Sequence, residues 1–388
     1  MRTEADFVVV GGGIVGLAVA WHAARSGKSV VLMERSTRSI GASIRNFGMV
    51  WPIGRVAGED LDRAMRARGH WLTLSVDAGV DLRRCGSLHL AHHEDEAAVL
   101  AEFVAAPENA GRQVRMLDKP QTLEAAPIVR ADGLLCALWS ETECAVRPAQ
   151  ATGAIAAHLA DDLAVDVRFG SAAASICGTA VTTADGSTVQ AERVVVCSGS
   201  DFVSLYPGRF GSLPITACQL QMMRLGCAEP MAGAPGPHLA GGLTLLHYPA
   251  FAKCPSLARV RDRYLQSEPR FADAGIHVMA AYEGQRELIV GDSHRYERDC
   301  DQYRAEWIDE LILDYLATMI SVRARIVERW VGVYAKRTDG MGQWIHEFVD
   351  DRVELLNGFG GMGMTLALAA AEEVVNGRRG AAAVSSGA

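Results

Sequence analysis

The sequence lacks a basic tract, an unbroken apolar run of membrane length and paired cysteines, and each absence removes a class of protein. Lys and Arg number 38 against 46 Asp and Glu, a formal charge of −8, and no segment concentrates the positive charge. A nucleic-acid partner is therefore not expected. No stretch reaches the roughly 18 apolar residues of a membrane helix, so no membrane span is expected either. The nine cysteines (85, 136, 144, 177, 197, 218, 227, 254 and 300) are odd in number and form neither CxxC nor a close Cys/His pair. That usage suits reduced thiols in a cytoplasm and predicts no metal site. No heptad pattern announces an oligomer. What is present is ordinary for a globular enzyme: 388 residues, 49% hydrophobic, enough for two folding units.

The chain is organised around its first turn, Phe7-Val8-Val9-Val10-Gly11-Gly12-Gly13-Ile14-Val15-Gly16, followed by Val30-Val31-Leu32-Met33-Glu34. Glu4 and Asp6 precede the apolar run and four glycines break it, so it reads as strand and helix and not as a signal segment. Strand, glycine turn, Ala-rich helix, strand and acid are the parts of a dinucleotide fingerprint. A pyrophosphate sits on a helix N-terminus, where unpaired N–H groups and the helix dipole favour negative charge. Gly11 supplies the tight turn, Gly13 the close approach to phosphate and Gly16 the contact of helix on strand. Glu34 is placed to accept the adenosine ribose hydroxyls. The turn alone leaves NAD and FAD open, because both present the same ADP half.

Past Glu34, residues 39–48 are small and polar and read as a loop that runs back along a bound dinucleotide. Residues 60–79 place Leu61, Ala64, Trp71 and Leu74 at helical spacings and predict a packing helix. A strand at 85–91 and a helix at 94–110 flank His89, His92 and His93. With no Cys or carboxylate at ligand spacing these read as surface histidines. A strand at 134–141 and a helix at 148–163, with Pro148 in its first turn, precede a switch to period two at 165–169, 180–183 and 187–189. The last two flank Asp185-Gly186 and predict a hairpin. The apolar run 193–197 stops on Ser198-Gly199-Ser200, leaving room over its end. Residues 216–325 are β-rich (220–225, 276–280, 287–291), with an irregular Pro/Gly stretch at 229–255 and a helix at 307–320. A strand at 353–357, a glycine loop at 358–365 and an Ala-rich helix at 366–377 then repeat the opening logic. Three such sites need a ligand extended across the whole domain, which selects FAD. The tail after Arg379 reads as disordered.

Three segments, VVVGGGIVGLAVAWHAARSGKSVVLMER, RVVVCSGSD and NGFGGMGMTLALAAAEEV, resemble the FAD-dependent amine oxidoreductases that include glycine oxidase, sarcosine oxidase and D-amino-acid oxidase. The loop GASIRNFGMVWPIG resembles a subgroup associated with breakdown of 2-aminoethylphosphonate and its N-alkylated relatives. The resemblance implies an α/β fold: a Rossmann-like FAD-binding domain of glutathione-reductase type, discontinuous over 1–85, 145–215 and 326–380. A β-rich substrate domain would cover 86–144 and 216–325, and a flexible tail 381–388. FAD would contact Gly11, Gly13, Ile14, Val15, Gly16, Glu34 and Arg35 at its ADP end. Ser43, Arg45, Asn46, Phe47 and Gly48 would follow towards the ring, with Ala173, Ser198, Gly199 and Gly332 beside them. Gly360, Gly361, Met362, Gly363, Met364 and Thr365 would hold the pyrimidine edge.

One departure bears on substrate. Glycine-oxidase-like members carry Gly-Leu-Arg-Pro here, with the arginine on the substrate carboxylate; this chain has Gly332-Val333-Tyr334-Ala335. The planar carboxylate has lost its fork at Tyr334. The sarcosine-oxidase branch has a tyrosine there and a cysteine two positions earlier that bonds FAD; Gly332 stands in that place, so non-covalent FAD is expected. The implied reaction moves a hydride from the carbon beside nitrogen to flavin N5, and water hydrolyses the imine. The implied substrate is a small amine, an aminophosphonate such as 2-aminoethylphosphonate or its N-methyl derivative. Oxygen or another electron acceptor completes the cycle. An α-amino acid or 2-hydroxy acid is the alternative, and a non-catalytic flavin-binding protein is a third. Arg45, Tyr334, Lys336 and Arg337 are the leading candidates for the substrate anion or flavin face, with Arg55, His247 and Lys253 behind them. Trp51 or Tyr334 could pack on flavin or substrate.

Overall fold

The computed structural model describes residues 2–301 and 303–377. The tail expected at 381–388 lies outside them, as do 378–380. The valine-rich runs become parallel strands because both their faces are apolar. Asp166–Phe169, Val30–Glu34, Glu4–Val10, Thr188–Val196 and Val353–Asn357 lie side by side in that order, all parallel. Alternation along the first strand decides what each face meets. Phe7 and Val9 pack with the helices Ile14–Arg25, Glu59–Asp77, Pro148–Asp161 and Gly363–Val375. Val8 and Val10 pack on the other side with Val181, Phe202 and Phe210. The Asp185-Gly186 hairpin forms, Ala180–Thr183 pairing antiparallel with Thr188–Val196.

The second unit is a nine-stranded sheet that includes Ser87–Ala91, Cys136–Ser140, Ile215–Cys227, Met279–Tyr282 and Glu287–Gly291. The strand Ala324–Arg337, expected on the nucleotide-binding side from 326, pairs along its whole length with Ile215–Cys227 in this sheet. Antiparallel pairing over so long a register overrides what its position next to the glycine loop suggests. Two further expectations change. The stretch 229–255 is not irregular throughout, since it holds the strand His238–Ala240 and the helix Leu243–His247. The final helix starts at Gly363 and not at 366, so Met364 and Thr365 belong to its first turn.

The histidines at 89–93 are not all on the surface. His93 is exposed and His92 half-buried, whereas His89 is 1% exposed, with ring centres 5.4 Å from Trp51 and 5.2 Å from Phe251. Neither ring nitrogen of His89 has a partner among the described residues. Burial holds its pKa at about 3 and that of His238, also buried, at about 3. In the unfolded chain both return to about 6.5. The native state thus binds fewer protons, and the stability tied to neutral rings is complete above about pH 6.5 and lost progressively below it. At pH 5 the loss is about 2 kcal/mol per histidine. His89→Leu is expected to flatten the fall in Tm between pH 7 and 5. An unchanged slope by calorimetry would remove His89 from the acid response.

Candidate active site

The carboxyl ends of the parallel strands converge, as open α/β sheets require of a ligand site. Gly11, Glu34, Ser198 and Asn357 all line one cavity of about 640 Å³, a size suited to a cofactor and a small substrate. Gly11 has φ +112°, and a Cβ there would lie 2.2 Å from the Cys197 carbonyl oxygen, so the two strand ends meet only because the side chain is missing. The following helix Ile14–Arg25 carries no acid in its first turn and no side-chain cap of its own. The Ser43 hydroxyl, from the loop after Val30–Glu34, accepts from Ile14 N at 2.9 Å. It marks the place where a phosphate oxygen would find the same donor. Glu34 accepts from Gly12 N at 2.7 Å and from Ser36 N at 2.9 Å, so its carboxylate also braces the glycine turn.

A second helix N-terminus opens on the same cavity. The turn Gly360–Met362 leads into Gly363–Val375, again with no acid in the first turn, and a Cβ on Gly363 would lie 3.8 Å from Ile14. Two undefended helix dipoles, with glycines that keep the backbone bare, fit an extended dinucleotide with an anionic pyrophosphate and a ring that gains negative charge on reduction. Asn357 ties the arrangement together by donating to Gly199 O at 2.8 Å. No sequence pattern singled out Asn357; its position on the last residue of a parallel strand was the available signal.

Of the residues expected to touch cofactor, Gly11, Gly13, Ile14, Val15, Arg35 and Ser43 line the cavity. So do Arg45, Asn46, Phe47, Ala173, Ser198 and Gly199. Gly332, Gly360, Gly361, Met362, Gly363 and Met364 complete the wall. Three do not line it. Gly16 packs helix on strand, its Cβ direction ending 1.9 Å from Gly11 O. Gly48 packs against the Val146 carbonyl, 2.0 Å from a built Cβ. The Thr365 hydroxyl accepts from Trp51 N at 3.0 Å inside the core. Asn46 spends its amide on its own loop, donating to Ala42 O at 2.9 Å and accepting from Gly48 N at 2.7 Å.

The cations sort by their partners. Arg55, 2% exposed, grips Asp60 through Nε and Nη2, at 2.8 Å for the shortest contact. Arg337 is held by Asp339 at 2.6 Å, and Arg35 by Asp201 at 2.6 Å. Arg45 donates to Val331 O at 3.3 Å. Lys336 donates to the Tyr296 hydroxyl at 2.8 Å, and burial lowers its pKa. Lys253 does not reach the cavity; it is exposed and pairs with Glu108 at 3.8 Å. Trp51 is also away from it, buried among His89, His238 and Tyr248. Tyr334 does line the cavity, with its hydroxyl 3.7 Å from where a Cβ on Gly361 would stand. Burial pushes its pKa well up, so it stays a hydrogen-bond donor.

Among the cavity residues that the sequence did not single out are His277, Asp292 and His294. They flank the strands Met279–Tyr282 and Glu287–Gly291, and antiparallel pairing brings them to His247. His277 and Asp292 exchange backbone hydrogen bonds at 2.9 and 3.3 Å, which continues the ladder beyond the strands. The nitrogens of His247, His277 and His294 come within 4.8 Å of one another. No periodicity links these positions.

A dinucleotide-binding α/β unit joined to a β-sheet unit, with one cavity spanning both, defines a two-domain flavoprotein. Residues 6–376 match the family described as FAD dependent oxidoreductase, and the chain belongs to it. Its cofactor is FAD. One of the opine oxidase subunits of Rhizobium meliloti is 35% identical over 140 residues, 32% of this chain and 37% of that protein. The glycine oxidase of Geobacillus kaustophilus is 28% identical over 222 residues, 52% of this chain and 56% of that protein. The matched segments thus span from about a third to about half the length of these curated relatives. The crystal structure of the Geobacillus kaustophilus glycine oxidase superposes with a TM-score of 0.77 at 19% identity, covering 98% of this chain and 96% of that one. Among the described residues, no helix is long and apolar enough to cross a membrane, and all nine cysteines are free of disulfides.

Proposed function

We propose that this oxidoreductase oxidises the C–N bond of a small amine with an anionic tail, an aminophosphonate such as 2-aminoethylphosphonate or its N-methyl derivative. The observation that carries this reading is the pairing of the cavity arginines. Arg55, Arg337 and Arg35 already hold Asp60, Asp339 and Asp201, and Tyr334 stands where glycine-oxidase-like sequences have the carboxylate-binding arginine. A planar carboxylate is best held by a guanidinium fork, whereas a tetrahedral phosphonate is well served by separate donors. Lys336 and the imidazoles are such donors.

FAD, when bound, supplies the hydride acceptor. The protein's part is to orient the substrate C–H and to exclude competing chemistry. Tyr334, beside the Gly360–Met362 turn, orients the amine end, and the donors on the nine-stranded sheet hold the tail. Desolvation keeps the imidazoles neutral in the empty site. FAD is held without a covalent bond. Gly332 offers no sulfur, and Cys197, the cysteine that lines the cavity among the described residues, sits at the glycine turn with its thiol pushed up by burial. Acid precipitation is expected to release the flavin quantitatively, and a fluorescent band on a denaturing gel would contradict this.

A second reading, an α-amino acid or a related secondary amine, draws on Arg45, whose guanidinium meets a backbone carbonyl and not a carboxylate. Anaerobic addition of N-methyl-aminoethylphosphonate, sarcosine, glycine and D-alanine separates the two. Loss of flavin absorbance is expected first with the phosphonate. Faster bleaching by glycine or sarcosine would sink the phosphonate reading, and no bleaching by any of them would point to a non-catalytic flavin-binding protein.

A further inference from the structure

We propose that His247, His277 and His294 form the seat of the substrate's tetrahedral anion, and that the seat takes up a proton as the anion enters. This rests on the reading of an anionic-tailed substrate. The three rings come from separate segments yet lie together: His277 and His294 stack with centres 5.0 Å apart, and His247 lies tilted against both, 3.9 Å from His277 and 4.7 Å from His294. All three line the cavity beside Lys336. His277 and His294 are 4% and 8% exposed, while His247 opens on the cavity.

His294 is held in orientation from behind. His294 Nδ1 lies 2.9 Å from Gly275 O and must donate to it, which leaves Nε2 free for another contact. His277 Nε2 lies 3.2 Å from Asp292 Oδ1 without a hydrogen bond between them, and His277 Nδ1 is a buried atom without a hydrogen-bond partner among the described residues. Leaving such a group unmet is unfavourable, and a protonated ring facing an anion oxygen would meet it.

Two of the three rings lie closer together than one shared metal ion would set them. Bonds of about 2 Å would set ligand nitrogens roughly 3.3 Å apart and ring centres roughly 5 Å apart. Here the nitrogens lie within 4.8 Å of one another, while the centres of His247 and His277 close to 3.9 Å.

The charges around the stack favour an anion. Burial keeps His247 and His277 well below their ordinary pKa and His294 at about 4, and the Lys336 charge lowers His247 and His294 further. The other titratable groups facing the stack are Tyr248 after the short helix, Asp292 and Tyr296 around the strand ends, Cys218 on Ile215–Cys227, and Tyr334 beside Lys336 on Ala324–Arg337. Burial raises the tyrosines, Cys218 and Asp292, so in the empty site none is a strong anion next to Lys336. An entering oxyanion supplies the missing negative charge and stabilises imidazolium, which turns a ring with one N–H into one with two.

Sulfate tests this without the amine chemistry, because it does not take up a proton itself near neutral pH. FAD-loaded protein is titrated with sodium sulfate by calorimetry at pH 7.5 in buffers of different ionisation enthalpy. One sulfate per chain is expected with uptake of about one proton, and affinity should rise roughly tenfold per pH unit from pH 8 to 6.5. His277→Gln, His294→Gln and the cavity-facing His247→Gln should each weaken sulfate at least tenfold and reduce the proton uptake, with the flavin spectrum of the parent confirming the fold. Absence of sulfate binding, binding without proton uptake, or uptake that survives the histidine changes and vanishes only in Lys336→Met would overturn the proposal. Stoichiometric Zn²⁺ binding lost in the same variants would overturn it in favour of a metal. Proton-linked sulfate binding in a protein that no phosphonate amine bleaches would keep the seat and discard the substrate. Bleaching by N-methyl-aminoethylphosphonate with an unchanged KM in all three histidine variants would discard the seat alone.

Discussion

Alanine at Gly11 is expected to yield a colourless protein. The added Cβ lands 2.2 Å from the Cys197 carbonyl oxygen, and the residue must hold φ +112°, which costs an L-residue about 1–3 kcal/mol before the clash is counted. The obstacle is backbone and not a flexible side chain, because Cys197 N is already committed to Val10 O at 2.7 Å and Gly11 N to Met33 O at 2.8 Å. Relief therefore means parting the ends of three parallel strands at the point where they shape the cavity. FAD affinity should fall by roughly a hundredfold or more, the equivalent of about 3 kcal/mol, and Tm should fall with it. Gly41→Ala is the matched control: it lies on the same cavity, its φ is −80°, and a Cβ there meets nothing within 4 Å. It should purify yellow. A Gly11→Ala protein with full flavin content and the parent Tm would show that this turn does not set cofactor binding.

Lys336→Met is expected to raise KM for an aminophosphonate about thirtyfold with little change in kcat. A charge-assisted hydrogen bond to the tail is worth about 2 kcal/mol, and the tail is bound alike before and during hydride transfer, so the loss appears as uniform binding. The sign of the pH effect follows from the lysine's setting. Burial lowers its pKa, so the ammonium is lost at a lower pH than in free lysine. In the parent, KM should rise on the alkaline side as the charge disappears; in Lys336→Met that rise should be absent. If Lys336 only positions Tyr296, to which it donates at 2.8 Å, KM will be unmoved by the substitution. A fall in kcat at constant KM would place its role at the flavin.

These two positions differ in how legible they were. Gly11 announces itself, because a β-branched run, a glycine turn, an Ala-rich helix and an acid at the next strand end occur in one contiguous segment. Ser43 was readable in the same way, from a small polar loop issuing from the strand that Glu34 ends. Lys336 was visible only as a cation in the stretch that departs from the glycine-oxidase pattern. Gly48 and Thr365 were misplaced because their neighbours in sequence do line the cavity; which side of the chain faces the ligand depends on packing against Val146 and Trp51. His277, Asp292 and His294 carried no signal at all. The sheet that Ala324–Arg337 joins was hidden for a related reason: nothing local in it says that its partner is Ile215–Cys227.

The sequence by itself determined the cofactor half of this protein. Dinucleotide binding uses backbone N–H groups, missing Cβ atoms and helix ends, and these are properties that a short contiguous stretch possesses outright. The tertiary structure decided the substrate half. His247, His277, His294, Tyr334 and Lys336 become neighbours because antiparallel registers set Cys218 opposite Tyr334, Met222 opposite Gly291 and Met279 opposite Gly291. Strand pairing is non-local, and side chains brought together that way share a cavity without sharing any pattern along the chain.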